Sequence, residues 1–269
     1  MVAFSQNYRP IQPALATQRK LTPFLTYSEF PVAPELAGYI YCYWTIEGQV
    51  PPGSDYWYTI VPDGCIDILI NCLRFEGAIA AGTNVAVDRT PFHSDVHYFG
   101  LRFLPGAIHN FIDFPAADAV SRMALIQTMA PQWKVELSEQ LFEQPSTSER
   151  ISVANRLMVQ LLRRRNFTFD PRLAGAIHQM VVHRGQVNLE GNRDLGVSPR
   201  HLRRLFHDYL GIRPKQLARI IRFQYAMQLL QQDAGLDELL ALGFYDQAHF
   251  IREFKAMTGA SPTHFFTAL

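Results

Sequence analysis

Cysteine is scarce in this 269-residue chain: Cys42, Cys65 and Cys72 are the only three. An odd count in a sequence without export signals argues against a disulfide framework and leaves buried free thiols as the default. Cys65 stands between Gly64 and Ile66, with no neighbouring cation to lower its pKa, so it reads as an apolar thiol and not as a nucleophile. No apolar run approaches the roughly 18 residues that cross a bilayer, and Met1 to Lys20 holds no apolar core preceded by positive charge. A membrane partner and a signal peptide are therefore not expected, and the cytoplasm is the expected location. A glycine-rich phosphate loop, a Gly-x-Ser-x-Gly turn and paired zinc-type cysteines are also missing. An enzymatic role thus has no positive support, and no cofactor is expected.

What is present is unevenly distributed. Residues 1–150 carry 9 Lys/Arg against 15 Asp/Glu, a balance of −6, while residues 151–269 carry 16 against 9, a balance of +7. A basic half beside an acidic one points to a polyanion as partner of the former. Residues 21–105 alternate apolar and other residues at period two, as in Ile66, Ile68 and Ile70 around Asp67, Leu69 and Asn71, with Pro and Gly turns between the runs. That pattern predicts a mainly β domain, a small barrel or sandwich. Short helices broken by Pro115 and Pro131 follow, with a joint expected at Ser146-Thr147-Ser148. Ile151, Ala154, Leu157, Met158, Leu161 and Leu162 then share one face of a helix that ends in Arg163-Arg164-Arg165. This helix either packs on its own β domain or pairs with a second copy of the chain in a homodimer. The expected division is a β-rich sensor over 1–148, a linker helix over 149–168 and an all-α domain over 169–269, an α+β multidomain protein.

The all-α part contains a repeat. At a constant offset of 48 residues His201 matches His249, Leu202 Phe250, Arg204 Arg252, Phe206 Phe254, Gly211 Gly259, Pro214 Pro262 and Leu217 Phe265. Each copy reads as a short helix, a glycine turn and a second helix, at about 188–209 and 236–257. This is the helix-turn-helix layout, whose second helix presents a polar face to a major groove. With Leu202, Leu205 and Phe206 inward, Arg200, Arg203, Arg204 and His207 face solvent; with Phe250 and Phe254 inward, Gln247, Ala248, Ile251, Arg252 and Lys255 do. Arg pairs bidentately with guanine, Gln with adenine, and Ile meets a thymine methyl. The intervening helix, Lys215 to Gln232, spans roughly 27 Å, comparable with the roughly 34 Å between major-groove segments on one face of B-DNA.

At this point the residues resemble a known family. Ser198-Pro-Arg-His-Leu-Arg-Arg-Leu-Phe, Gly211-Ile-Arg-Pro, Arg222 with Ala226 and Leu229-Leu230, Gly243-Phe-Tyr-Asp-Gln-Ala-His-Phe-Ile-Arg-Glu-Phe-Lys and Gly259-Ala-Ser-Pro are similar to the AraC/XylS family of bacterial transcription regulators. The resemblance implies double-stranded DNA as partner and the third and sixth helices of the domain as its readers. RNA polymerase is a further possible partner, and activation and repression both stay open. The matching positions are Arg200, Arg203 and Arg204, then Gln247, Ala248, Ile251 and Arg252. The family usually has alanine four residues before each turn glycine, where this chain has Asn192 and Leu239, and Gly191 weakens the first scaffold helix. These departures keep an alternative open: a ligand-binding or protein-interaction regulator with a decayed DNA-binding domain.

Tyr43-Trp44, Val61-Pro-Asp-Gly-Cys-Ile-Asp-Ile-Leu-Ile-Asn and Phe99-Gly-Leu-Arg-Phe-Leu-Pro-Gly-Ala resemble an uncharacterised β-rich domain often found in front of AraC-type domains. By that analogy it is a cupin-like sensor for a small-molecule effector. Tyr41, Tyr43, Trp44 and Trp57 are the expected pocket residues, against the reading of an aromatic core. His93, Asp95 and His97 alternate as metal ligands on one strand face would, with His109 as a further donor if the fold delivers it. A solvated strand edge is the preferred reading, and no metal is expected.

Overall fold

The computed structural model describes residues 8–12, 24–54, 56–164, 169–187, 189 and 195–268. The chain is a β-rich N-terminal region followed by helices, an α+β protein. Six antiparallel strands form one sheet in the order β1-β2-β7-β4-β5-β8: β1 Leu25–Phe30, β2 Ile40–Gln49, β4 Ile66–Asn71, β5 Ala78–Ala81, β7 Asp95–Phe103 and β8 Met123–Leu125. A two-stranded ribbon, β3 (Tyr56–Ile60) with β6 (Asp88–Phe92), stands apart from it. The architecture is compatible with the expected barrel or sandwich, with one long sheet and a short ribbon facing it.

Period-two alternation decides what each face of the sheet meets. On β4, Ile66, Ile68 and Ile70 join Phe99, Leu101 and Phe103 of β7 in a core closed by helices. Those helices include α3 (Val135–Phe142) and α4 (Thr147–Arg164). Cys42, Trp44 and Ile46 of β2, with Leu69 and Val96, pack with Tyr58 and Phe92 of the ribbon on the opposite face. A register shift between Ile40 and Cys42 explains why Ile40 and Tyr43, three apart, share the helical side: a bulge adds one residue and inverts the alternation.

Helix α4 begins at Thr147, four residues earlier than the apolar pattern indicates, because the expected joint is its cap. Ser146 Oγ accepts from the Glu149 backbone N–H and donates to the Glu149 carboxylate. Val153, Ala154, Leu157 and Met158 of α4 are buried in the sheet's helical core. Asn155 Oδ1 accepts from the Ala33 N–H (2.8 Å) and the Tyr43 hydroxyl (3.0 Å). Of the two uses foreseen for this helix, the structure displays packing on its own β domain. Two short helices, α1 (Ala116–Ala119) and α2 (Ile126–Met129), flank β8, a strand too short to announce itself by alternation.

The C-terminal helices are α5 Pro171–Val182, α6 Pro199–Leu210, α7 Pro214–Gln231, α8 Leu236–Leu240, α9 Gln247–Thr258 and α10 Pro262–Ala268. Asp170 caps α5 through the Arg172 N–H, and Pro171 takes the first helical position. The helix expected over 188–195 lies largely outside the described residues. The core of this region does not stop at a domain boundary. Tyr8, Ile11, Val61, Leu104 and Ala107 are buried in one cluster with Leu202, Phe206, Leu217, Ile221 and Phe254.

Candidate functional site: two paired helices and an enclosed cavity

Helices α6 and α9 are built alike. Ser198 caps α6 by accepting from the His201 N–H (3.3 Å), and Asp246 caps α9 by accepting from the His249 N–H (2.6 Å). Each ends on a left-handed glycine, Gly211 (φ 72°) and Gly259 (φ 77°), a conformation that costs an L side chain about 1 kcal/mol or more. Leu202, Leu205, Phe206 and Leu210 bury one stripe of α6, and Phe250, Phe254 and Met257 one stripe of α9.

The opposite faces hold the residues singled out in the sequence. Arg200, Arg203, Arg204 and His207 are exposed on α6; Gln247, Ala248, Arg252 and Lys255 are exposed on α9, and Ile251 is half-buried at the edge of its stripe. Between the two units runs α7, 18 residues long, or roughly 27 Å. It is tied to α9 by Arg219, whose Nε and Nη2 donate to Glu253 at 2.8 and 3.1 Å. The Arg222 guanidinium lies over Phe244, 5.1 Å from the ring centre. Leu239, at the position where a small residue was expected, is buried at 4% exposure, so the second unit accommodates the larger side chain. Gly191 and Asn192 lie outside the described residues.

The second candidate site is a cavity of about 150 Å³ between the long sheet and the β3–β6 ribbon. Trp44 is on its wall, but the other expected pocket residues are elsewhere: Tyr43 points into the helical core, Tyr41 is half-buried against the ribbon-side core and Trp57 is 53% exposed on β3. The lining includes Tyr27, Tyr58, Phe92 and Tyr98 with Asp63, Asp67 and Arg102. Arg102, 4% exposed, donates from Nε and Nη2 to the two oxygens of Asp67 (3.1 and 2.9 Å) and from Nη1 to the Tyr27 hydroxyl (3.2 Å). Glu29 and Asp63 carboxylates stand 3.6 Å from the same guanidinium. Burial pushes the Glu29 and Asp67 carboxyls above their ordinary pKa, with Arg102 pulling the other way.

Sequence alternation carried a signal for this cluster: Asp67 and Arg102 interrupt otherwise apolar runs at positions opposite the core face. Burial, followed by the nearby Asp63 carboxylate, raises the pKa of Cys65, so its thiol is held protonated. The histidine set does not converge. His93 lies in the turn after β6, His97 on β7 faces Glu47 at 3.7 Å, and His109 directs Nε2 to the Tyr209 carbonyl at 3.1 Å. Strand alternation therefore does not extend to His93, and no group of three metal-type side chains forms among the described residues. Nor, among them, is any helix long and apolar enough to cross a membrane.

Comparison with known proteins gives two family matches, a "Helix-turn-helix domain" over residues 193–268 and a "Domain of unknown function (DUF6597)" over residues 28–123. The HTH-type transcriptional regulator GlxA of Rhizobium meliloti is 42% identical over 69 residues, 25% of this chain and 21% of that protein. The chain thus matches about a fifth of that relative's length. Among solved structures, ToxT from Vibrio cholerae is similar at 12% identity with a TM-score of 0.42, covering 84% of this chain and 98% of that one. A second ToxT structure, from strain O395, gives 0.37 at 12% identity over 91% and 96%.

Proposed function

We propose, for a chain whose C-terminal segment is a helix-turn-helix domain of the AraC/XylS type, that the protein is a sequence-specific DNA-binding transcription regulator acting in the cytoplasm, and not an enzyme. The observation that carries this reading is the pair of equivalent polar faces on α6 and α9. They are capped alike at both ends and held apart by one helix of roughly 27 Å. In this reading they enter adjacent major grooves: Arg200, Arg203, Arg204 and His207 read one, and Gln247, Ala248, Ile251, Arg252 and Lys255 the other. Phosphate contacts supply affinity and base edges supply sequence preference.

Control by an effector in the N-terminal cavity is part of the same proposal, and a chain of buried hydrogen bonds supports it. Gln12, on the cavity wall, donates to Asp63 Oδ2 (2.7 Å) and to the Val61 carbonyl (3.1 Å). The adjacent Ile11 exchanges two bonds with the Gln224 amide of α7, its N–H donating at 2.6 Å and its carbonyl accepting at 3.2 Å. Gln224 also donates to the Pro62 carbonyl at 2.8 Å. A change at the cavity wall is therefore two residues from the helix that spaces the two reading units. Homodimer formation and contact with RNA polymerase complete the proposal as partner expectations.

The test is selection of bound sequences from a random DNA pool by the full chain, followed by a salt titration on the enriched site. A regulator enriches a defined sequence and loses affinity steeply with rising salt. No saturable binding at low salt would instead identify a regulator whose DNA-binding domain has decayed.

A further inference from the structure

We propose that the cavity of the N-terminal domain takes a small organic cation, a one-ring amine. The inference rests on the reading that this domain holds an effector and adds the effector's chemical class. Size is the first constraint, since a space of about 150 Å³, open on one side, is that of a single ring with a short tail.

Charge is the second. The lining carries Asp63, Asp67 and Asp88 against Arg102 and Arg122, and Glu29 stands behind Arg102 at 3.6 Å. Each nitrogen of the Arg102 guanidinium already makes one hydrogen bond, two of them to Asp67 and one to the Tyr27 hydroxyl. Arg122 is exposed, with Nη1 directed to the Asp118 carbonyl at 3.3 Å. A carboxylate or phosphate entering the cavity would meet three aspartates against one buried guanidinium, which is itself paired with Asp67. An ammonium would meet the remaining lone pairs of the same aspartates, each carboxylate oxygen accepting more than one bond.

The walls supply the third constraint. Tyr27 stacks on Trp44 with ring centres 6.2 Å apart, and Tyr58, Phe92 and Tyr98 form a second stack at 6.0 Å steps. These rings share the lining with the carboxylates, and an aromatic ring beside a carboxylate favours a desolvated cation.

The experiment uses the full chain and three probes that share a phenol ring and differ only in the head group: tyramine, 4-hydroxyphenylethanol and 4-hydroxyphenylacetate. Calorimetry and tryptophan fluorescence should give saturable tyramine binding at least about tenfold tighter than either analogue. Asp88→Asn, at the ribbon side of the cavity and outside the Arg102 cluster, should weaken tyramine by about threefold or more and leave the alcohol unchanged. Circular dichroism identifies that variant if it fails to fold. Equal or tighter binding of the acid or the alcohol would overturn the charge assignment while leaving an effector cavity in place. No binding of any probe at about 10 mM, far above an ordinary effector affinity, would overturn the site itself. Enrichment of a DNA sequence by the unliganded chain is read separately, so neither result is confused with failure of DNA recognition.

Discussion

The two helix-turn-helix units share caps, stripes and a terminal glycine, but they are seated differently. A Cβ built on Gly211, at the end of α6, would lie 2.3 Å from the Ala116 carbonyl oxygen and 2.5 Å from Val120, both in the N-terminal domain. His109 and Tyr209 add a second contact there, with rings 4.8 Å apart. At Gly259, the equivalent position of α9, the nearest atom to such a Cβ is Val87 Cγ1 at 3.5 Å, ordinary contact. The second unit draws its support from α7 instead, through Arg219–Glu253 and Arg222 over Phe244. A duplicated sequence has acquired two mechanical roles: α6 is clamped to the N-terminal domain and α9 is braced to the spacer helix. In the proposed reading an effector signal would reach the first unit by a close backbone contact and the second through α7 and a looser contact at Val87.

The largest expected effect breaks that comparison if it fails. Gly211→Ala adds a backbone clash to the left-handed strain and should cost about 2–4 kcal/mol in chemical denaturation. Gly259→Ala carries the strain alone and should cost about 1 kcal/mol. Equal losses would remove the clamp from the account. On the DNA site enriched by selection, Arg204→Ala and Arg252→Ala should each cost about 1–3 kcal/mol and relax sequence preference at separate positions, measured by repeating the selection. Unchanged affinity in both would refute α6 and α9 as readers. Removal of one cap, Ser198→Ala or Asp246→Ala, should lower stability by about 1 kcal/mol in either unit. The smallest effect belongs to the Arg219–Glu253 pair, whose side chains are 35% and 24% exposed. A double-mutant cycle there should return about 0.5–1 kcal/mol, and a null value would shift the bracing of α9 onto Arg222 and Phe244.

The outward faces of α6 and α9 were legible because they are local: a 3.6-residue period and fixed caps determine them within a dozen residues. The cavity was not. Trp44 could be named from its strand, but the aromatic residues opposite it come from Tyr58 and Phe92 of the β3–β6 ribbon, and the position of that ribbon over the sheet is a long-range fact. Tyr43 and Trp57 were drawn away by the bulge near Ile40 and by exposure on β3, neither of which period-two counting registers. Gln224 illustrates the same limit. It sits within an apolar helix pattern as an apparent exception, and its partner Ile11 is 213 residues away in sequence.

Helix α7 has a consequence for how this protein can change. In an α-helix one inserted residue advances the chain by about 1.5 Å but turns everything beyond it by about 100°. Lengthening α7 by a single residue would thus swing α9 out of phase with α6 and misalign Gln224 with its partners, whereas substitutions along the helix leave that angle untouched. If α6 and α9 read DNA as proposed, lineages of this chain can drift freely in which bases they read, while the spacing of their operators is locked to a residue count.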